Sequence, residues 1–139
     1  ANFQRLIKMV DLGIPLPLGS IHNRRSLVAL DNLVNLIEVC IKHPAALGQT
    51  FLVSDDDDVS TTELLKKMAN AMGRPARLFY VPEKLLWSGA QFLGKKNVVQ
   101  RICGSLQLDI SKTKALLGWL PQVSMDEALL QTAKFYRDG

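Results

Sequence analysis

Aromatic residues make up only 6% of this 139-residue chain and cysteine occurs twice. No apolar run approaches the roughly 18 residues needed to span a bilayer, so a membrane location is not expected. Cys40 and Cys103 stand far apart, with no C-x-x-C or Cys/His spacing around either, which argues against a zinc site and against a disulfide framework. Each lies among apolar neighbours and reads as a small buried hydrophobe, a usage that fits a reducing cytoplasm. The opening Ala1-Asn-Phe-Gln-Arg5 has no signal-peptide h-region. None of the nine glycines falls in a G-x-G-x-x-G loop, so the chain lacks the phosphate cradle of a dinucleotide-binding turn.

What is present suffices for a core. Hydrophobic residues make up 47% of the chain, and its length is that of one ordinary domain, read here as 1–139. Seventeen basic side chains against thirteen acidic give a net charge of +4, which favours anionic partners in general. Arg24-Arg25, Lys66-Lys67 and Lys95-Lys96 are the only adjacent basic pairs. Scattered basic residues of this kind are a solvated surface rather than a stripe that tracks a nucleic-acid backbone, so no nucleic acid is expected.

Along the chain, Phe3, Leu6, Ile7 and Val10 share one helical face over residues 2–12, with Asn2 as N-cap and Gly13 as stop. Pro15 and Pro17 force Ile14–Leu18 to run extended into a Gly19-Ser20 turn. Ser26–Leu30, Gln49–Ser54 and Ala76–Val81 read as short strands. Leu33, Leu36, Ile37, Cys40 and Ile41 make an amphipathic helix ending at Pro44. Ser60 and Glu63 form a capping box for a helix bearing Leu64, Leu65, Met68, Ala69 and Met72. A further helix over about 83–93 carries Leu85, Leu86, Ala90 and Leu93, and residues 97–104 form a short one. Ser124 and Glu127 cap a last helix with Met125, Ala128, Leu129, Thr132, Ala133 and Tyr136 inward. Helices dispersed among short strands predict a small α/β domain of mixed type without one large parallel sheet.

Two segments carry a resemblance. Gly19-Ser-Ile-His-Asn-Arg24-Arg25-Ser-Leu-Val-Ala-Leu-Asp-Asn32 and Asp109-Ile-Ser-Lys112-Thr-Lys-Ala-Leu-Leu-Gly118-Trp119-Leu-Pro121 resemble the anion-binding strand and the closing D-x-S-K-x-x-x-x-L-G-W-x-P signature of extended short-chain dehydrogenases/reductases, the nucleotide-sugar epimerases and dehydratases. The resemblance covers essentially the whole chain. It implies the substrate-binding domain of such an enzyme without its Rossmann sheet, and a nucleotide-diphosphate sugar, a UDP-sugar in the first place, as partner. Arg25 matches the arginine of the family's R-D-[FY]-[IV]-x-V-x-D segment, which binds the diphosphate through a planar fork of donors. On composition alone Arg24-Arg25 would be a solvated pair. Ser26, Leu27 and Asn32 depart from the family's Asp, aromatic and Asp, and suggest a branch acting on bacterial surface-polysaccharide precursors. Asn2 resembles an asparagine that meets a phosphate at a helix N-terminus, although a plain N-cap reads equally well. Leu16 and Leu18 resemble the segment lying along the nucleobase, and Arg101 stands near a second nucleotide-contacting arginine. The closing signature reads as structural, with Asp109 and Gly118 capping a short helix that Trp119 anchors.

The resemblance also implies that NAD or NADP and the catalytic Tyr/Lys pair belong to a preceding Rossmann domain, missing here, whose helices mediate homodimerisation in this family. This chain alone would then bind no cofactor and turn nothing over. Tyr80-Val-Pro-Glu-Lys84 fits Y-x-x-x-K, but Pro82 breaks the continuous helix that the pair needs. Asp55–Asp58 lacks the spaced ligands of a calcium loop and reads as a solvated acidic loop. His22 and His43 have no partner at ligand or triad spacing, so no metal is expected. The rival reading is a stand-alone module recognising an anionic metabolite. It differs in one respect, since a half-enzyme exposes the apolar surface that met its partner, for which Leu33-Val34 with Leu36-Ile37 are candidates.

Overall fold

The structure, a computed structural model, describes residues 2–92, 94 and 96–138, with Asn2 in its backbone alone. Among these are seven α-helices: α1 (Asn2–Asp11), α2 (Leu30–Lys42), α3 (Thr61–Ala71), α4 (Glu83–Phe92), α5 (Lys96–Cys103), α6 (Ser111–Leu117) and α7 (Met125–Asp138), with a short 3-10 turn at Pro44–Ala46. Leu93, expected on the buried face of α4, lies outside the described residues.

α3 is the central element, packed between α1 and α7. Its capping box is complete, with the Ser60 hydroxyl accepting from the Glu63 amide and the Glu63 carboxylate accepting from the Ser60 amide. Leu64, Leu65, Met68, Ala69 and Met72 are all buried, joined by Ile7 and Val10 of α1, Leu16, Leu18 and Ile21 of the extended segment, and Met125, Leu129 and Ala133 of α7. A second, smaller cluster gathers Leu36 of α2, Ile110, Leu117 and Trp119. Gly118 closes α6 in the left-handed conformation at φ 59°, and Trp119 is 3% exposed with its indole N–H donating to Asn35. Asp109 works one position further out than an N-cap, accepting from the Ser111 amide.

The helices match the sequence reading closely, whereas the three expected strands do not form. Among the described residues the sheet content is three isolated bridges, Leu16 with Leu78, Arg25 with Val59, and Arg25 with Leu106. The α/β expectation is therefore met only in part, and the molecule is mainly helical. The physical reason lies in what satisfies the extended segments. A ladder needs consecutive backbone pairs, and here the backbone pairs are few and scattered between segments while buried side chains take further groups. The Thr62 hydroxyl donates to the Leu18 carbonyl and accepts from the Ile21 amide, the Ser20 hydroxyl donates to Val81, and the Thr113 hydroxyl donates to Leu52. Segment 49–54, expected as a strand, has its Thr50 and Leu52 carbonyls taken by the Lys112 ammonium and Thr113. No buried side-chain polar atom among the described residues lacks a partner.

Asn32, met in sequence only as a departure from a motif, is 0% exposed. Its amide N–H group donates to Asp55 and to the Val123 carbonyl, and its oxygen accepts from the Gln122 and Val123 amides. Asp55 also accepts from the Ala29 amide through both oxygens at 2.9 Å, so the start of α2, which has no cap of its own, is capped from 26 residues away.

Candidate functional site

The strip 23–26 is held at both sides. Arg25 and Val59 exchange backbone bonds in an antiparallel bridge, while Leu106 donates to the Arg24 carbonyl and its own carbonyl accepts from Ser26. The Ser26 hydroxyl donates to Asp58 at 2.5 Å and accepts from the Leu108 amide. That serine stands where the resemblance leads one to expect an aspartate, and an aspartate there would face the Asp58 carboxylate. The Ser26 hydroxyl, with Gln107 next, holds the Asp58 carboxyl below its usual range. Arg24, whose role the sequence leaves open, reaches the Asp58 carbonyl at 3.4 Å and lies along the acidic loop.

The structure brings the Arg25 guanidinium to the backbone of Arg101. The half-buried Arg25 guanidinium donates through one nitrogen to the Arg101 carbonyl in the last turn of α5, and Arg101 itself is exposed. A guanidinium has five donors in a plane, so one bond to a carbonyl leaves the rest of the fork for an anion. Around the same helix end, buried Asn23 donates to the Ile102 and Gly104 carbonyls at 3.1 and 2.9 Å, and the Thr61 hydroxyl donates to Ile102 at 2.6 Å. Asn23 and Thr61 carry no periodic or motif signal, and the sequence reading passed over both.

The other expected contacts are placed differently. The Leu16 and Leu18 side chains are in the core, each 8% exposed. Both backbone groups of Leu16 pair with residues 77–79, and the Leu18 carbonyl takes Thr62. The side chain of Asn2 lies outside the described atoms. Tyr80 sits in an extended segment and Lys84 on α4, so the Y-x-x-x-K residues do not share a helix. The acidic run is not simply solvated, because Asp55 caps α2, Asp56 pairs with Lys114, and Asp58 binds Ser26 and Gln107. No cluster of three metal-ligating side chains occurs among the described residues. His22 is exposed, and the His43 ring accepts from the Ala45 amide at the 3-10 turn. Cys40 and Cys103 are half-buried and unpaired, and burial pushes the Cys103 thiol up. No described helix is long and apolar enough to cross a membrane.

A groove of about 490 Å³ opens between α7 and the start of α2, lined mainly by apolar side chains such as Phe3, Leu27, Leu129 and Phe135, with Asp31 and Asp55 among them. Carboxylates beside apolar walls disfavour a diphosphate there. The arginine strip, by contrast, has guanidinium donors left over after its bond to the Arg101 carbonyl. Along α2, Leu36 is buried while Val34, Ile37 and Ile41 are 46%, 50% and 77% exposed.

Over 137 residues the chain is 47% identical to a Vibrio cholerae protein named UDP-glucose 4-epimerase, covering 98% of this chain and 42% of that protein. A Mycolicibacterium smegmatis protein of the same name is 29% identical over 123 residues, covering 86% of this chain and 33% of the relative. The chain thus spans about two fifths or less of the length of these relatives. No protein-family profile matches it. Nor does any solved structure. With its two signature segments and this similarity, the chain resembles part of the nucleotide-sugar epimerases and dehydratases of the extended short-chain dehydrogenases/reductases.

Proposed function

We propose that this chain is the substrate-binding portion of an NAD(P)-dependent nucleotide-diphosphate-sugar epimerase, dehydratase or 4-ketoreductase that takes a UDP-sugar and serves the synthesis of polysaccharide precursors. The observation that carries this reading is the Arg25 guanidinium seated at the backbone carbonyl of Arg101 with the rest of its fork free, in a chain 47% identical to a protein named UDP-glucose 4-epimerase. Arg25 holds the diphosphate, Arg101 adds a second positive charge, and Asn2 stands at the start of α1 for the same anion. Fixing the diphosphate orients the sugar ring, which makes the chemical step effectively intramolecular.

The residues of this chain do not fit a dinucleotide. Neither a glycine pair spaced G-x-G nor a parallel sheet feeding a helix occurs among its described residues. In this reading the cofactor falls to a Rossmann domain outside this chain, which would also supply the homodimer contact. The uncovered face of α2, with Val34, Ile37 and Ile41, is the surface we assign to that domain.

Calorimetric titration with UDP, UDP-N-acetylglucosamine and pyrophosphate at two salt concentrations tests the diphosphate assignment. Arg25→Ala is expected to weaken UDP by at least about tenfold, the scale of a lost hydrogen bond to a charged group. UDP binding that is unchanged in Arg25→Ala would remove Arg25 from the site.

A further inference from the structure

We infer that Asn23 is the positioning residue that holds the end of α5 bearing Arg101 against the Arg25 guanidinium, by tying the C-terminal end of α5 to the N-terminal end of α3. The inference rests on the diphosphate reading above and extends it to a residue that touches no ligand.

Asn23 is 7% exposed, and all its side-chain bonds go to backbone. Its amide nitrogen donates to the Ile102 and Gly104 carbonyls, and its oxygen accepts from the Thr61 amide at 2.8 Å. Thr61 is the first residue of α3, and its own hydroxyl returns to the Ile102 carbonyl. One side chain thus satisfies orphan groups of opposite polarity at two helix ends. Gly104 completes the junction. Its amide donates to Gln100 at 2.9 Å, and a Cβ there would meet the Gln100 carbonyl oxygen at 2.5 Å, so the approach requires glycine.

The junction matters for an anion in two ways. The C-terminal end of a helix carries partial negative charge and repels a phosphate. Asn23, Thr61 and Arg25 together occupy the Arg101, Ile102 and Gly104 carbonyls, which leaves the guanidinium groups to set the local potential. The second effect is geometric. α5 packs chiefly on α4, and its anchorage near Arg101 consists of these bonds and the packing of Ile102 and Cys103 on the core. Without Asn23, Arg101 loses its fixed relation to Arg25.

The test uses the protein that carries this sequence, at its natural length, and variants that change no formal charge beyond the arginines. Asn23→Ala should speed amide hydrogen exchange over residues 96–103 while leaving 125–138 unaffected, and should raise the UDP Kd by about tenfold. Arg101→Ala should cost a similar factor, and the double variant no more than either alone, because Asn23 acts through the arginines. The salt dependence of UDP binding should flatten in Asn23→Ala as it does in Arg101→Ala, a change that general loosening would not produce. Should Asn23→Ala not fold, Thr61→Val removes one of the two donors to the Ile102 carbonyl while keeping the Thr61 amide, and the same non-additivity is expected of it. Unchanged exchange in 96–103, an unchanged Kd, or losses that multiply to about a hundredfold overturn the inference alone. UDP binding insensitive to Arg25→Ala overturns the diphosphate reading, and this inference with it.

Discussion

α2 and α3 carry equally regular apolar stripes, yet they end in opposite situations. Six of the eleven residues of α3 are buried, against two of thirteen in α2, and one of those two is Asn32. α3 lies between α1 and α7, whereas α2 meets the chain along one edge and leaves Val34, Ile37 and Ile41 uncovered. Periodicity states that a face needs covering. It does not state whether the cover lies in the same chain. The largest effect should come from testing this contrast directly. Leu65 is 0% exposed, so Leu65→Ala should destabilise by about 2–5 kcal/mol through lost transfer energy and a residual cavity. Ile37→Ala, at a half-exposed position, should stay within about 0.5 kcal/mol in the 139-residue chain. Its cost should rise towards core values where a further domain covers α2. Urea unfolding of both variants in this chain, and in a form joined to the proposed Rossmann domain, reads the difference. Equal costs in the short chain would break the comparison.

The same contrast explains what the sequence made legible. The extents of α1, α3, α4, α5 and α7 follow from apolar spacing, capping boxes and glycine stops, all of which act within a few residues. Segments 26–30, 49–54 and 76–81 have strand composition, but a strand exists only beside another one, and that neighbour is not a local property. Leu85 shows the limit on helices too, being 62% exposed where the stripe placed it inward, while Ala90 is buried. In the candidate site, Arg25 was legible through its motif. Asn23 and Thr61 were not, because a side chain joining residues 38 and 79 positions apart leaves no periodic trace. Arg24 and the Asp55–Asp58 run were visible as charge, but their partners Ser26, Ala29, Gln107 and Lys114 were not.

Asn32 sharpens the comparison at the next level of effect. On α2 the securing force is polar, since Asn32 links Asp55 to the Gln122-Val123 backbone, whereas α3 is secured by apolar packing. Asn32→Ala leaves two part-buried amides and a carbonyl without their partner, and should cost about 1–3 kcal/mol. The loss should appear as faster exchange at the start of α2 and in residues 122–124, with α3 protected as before. A variant as stable as the parent would mean that water replaces Asn32, and that α2 is held by Leu36 and its neighbours instead.

The helix starts differ as well, and here the effect is smallest. α3 is capped by its own Glu63, whereas α2 borrows Asp55 from across the fold. The Ser60 amide, followed by the Ser60 hydroxyl, holds the Glu63 carboxyl below its ordinary value of 4.5. A carboxyl lowered in the folded state adds stability above its unfolded value, and that stability is lost as pH falls through the lower folded value. Glu63→Gln keeps an acceptor for the Ser60 amide and removes the charge. At neutral pH it should cost about 0.5 kcal/mol, the scale of an exposed charge at a helix N-terminus. The gap between parent and variant should be constant down to about pH 5 and then close on further acidification, because the charge that separates them is being neutralised. Urea midpoints from pH 7 to pH 3 measure it. A gap that persists at the acid end would show that the side-chain amide of the variant is a poorer acceptor in the box, and that the charge contributes nothing.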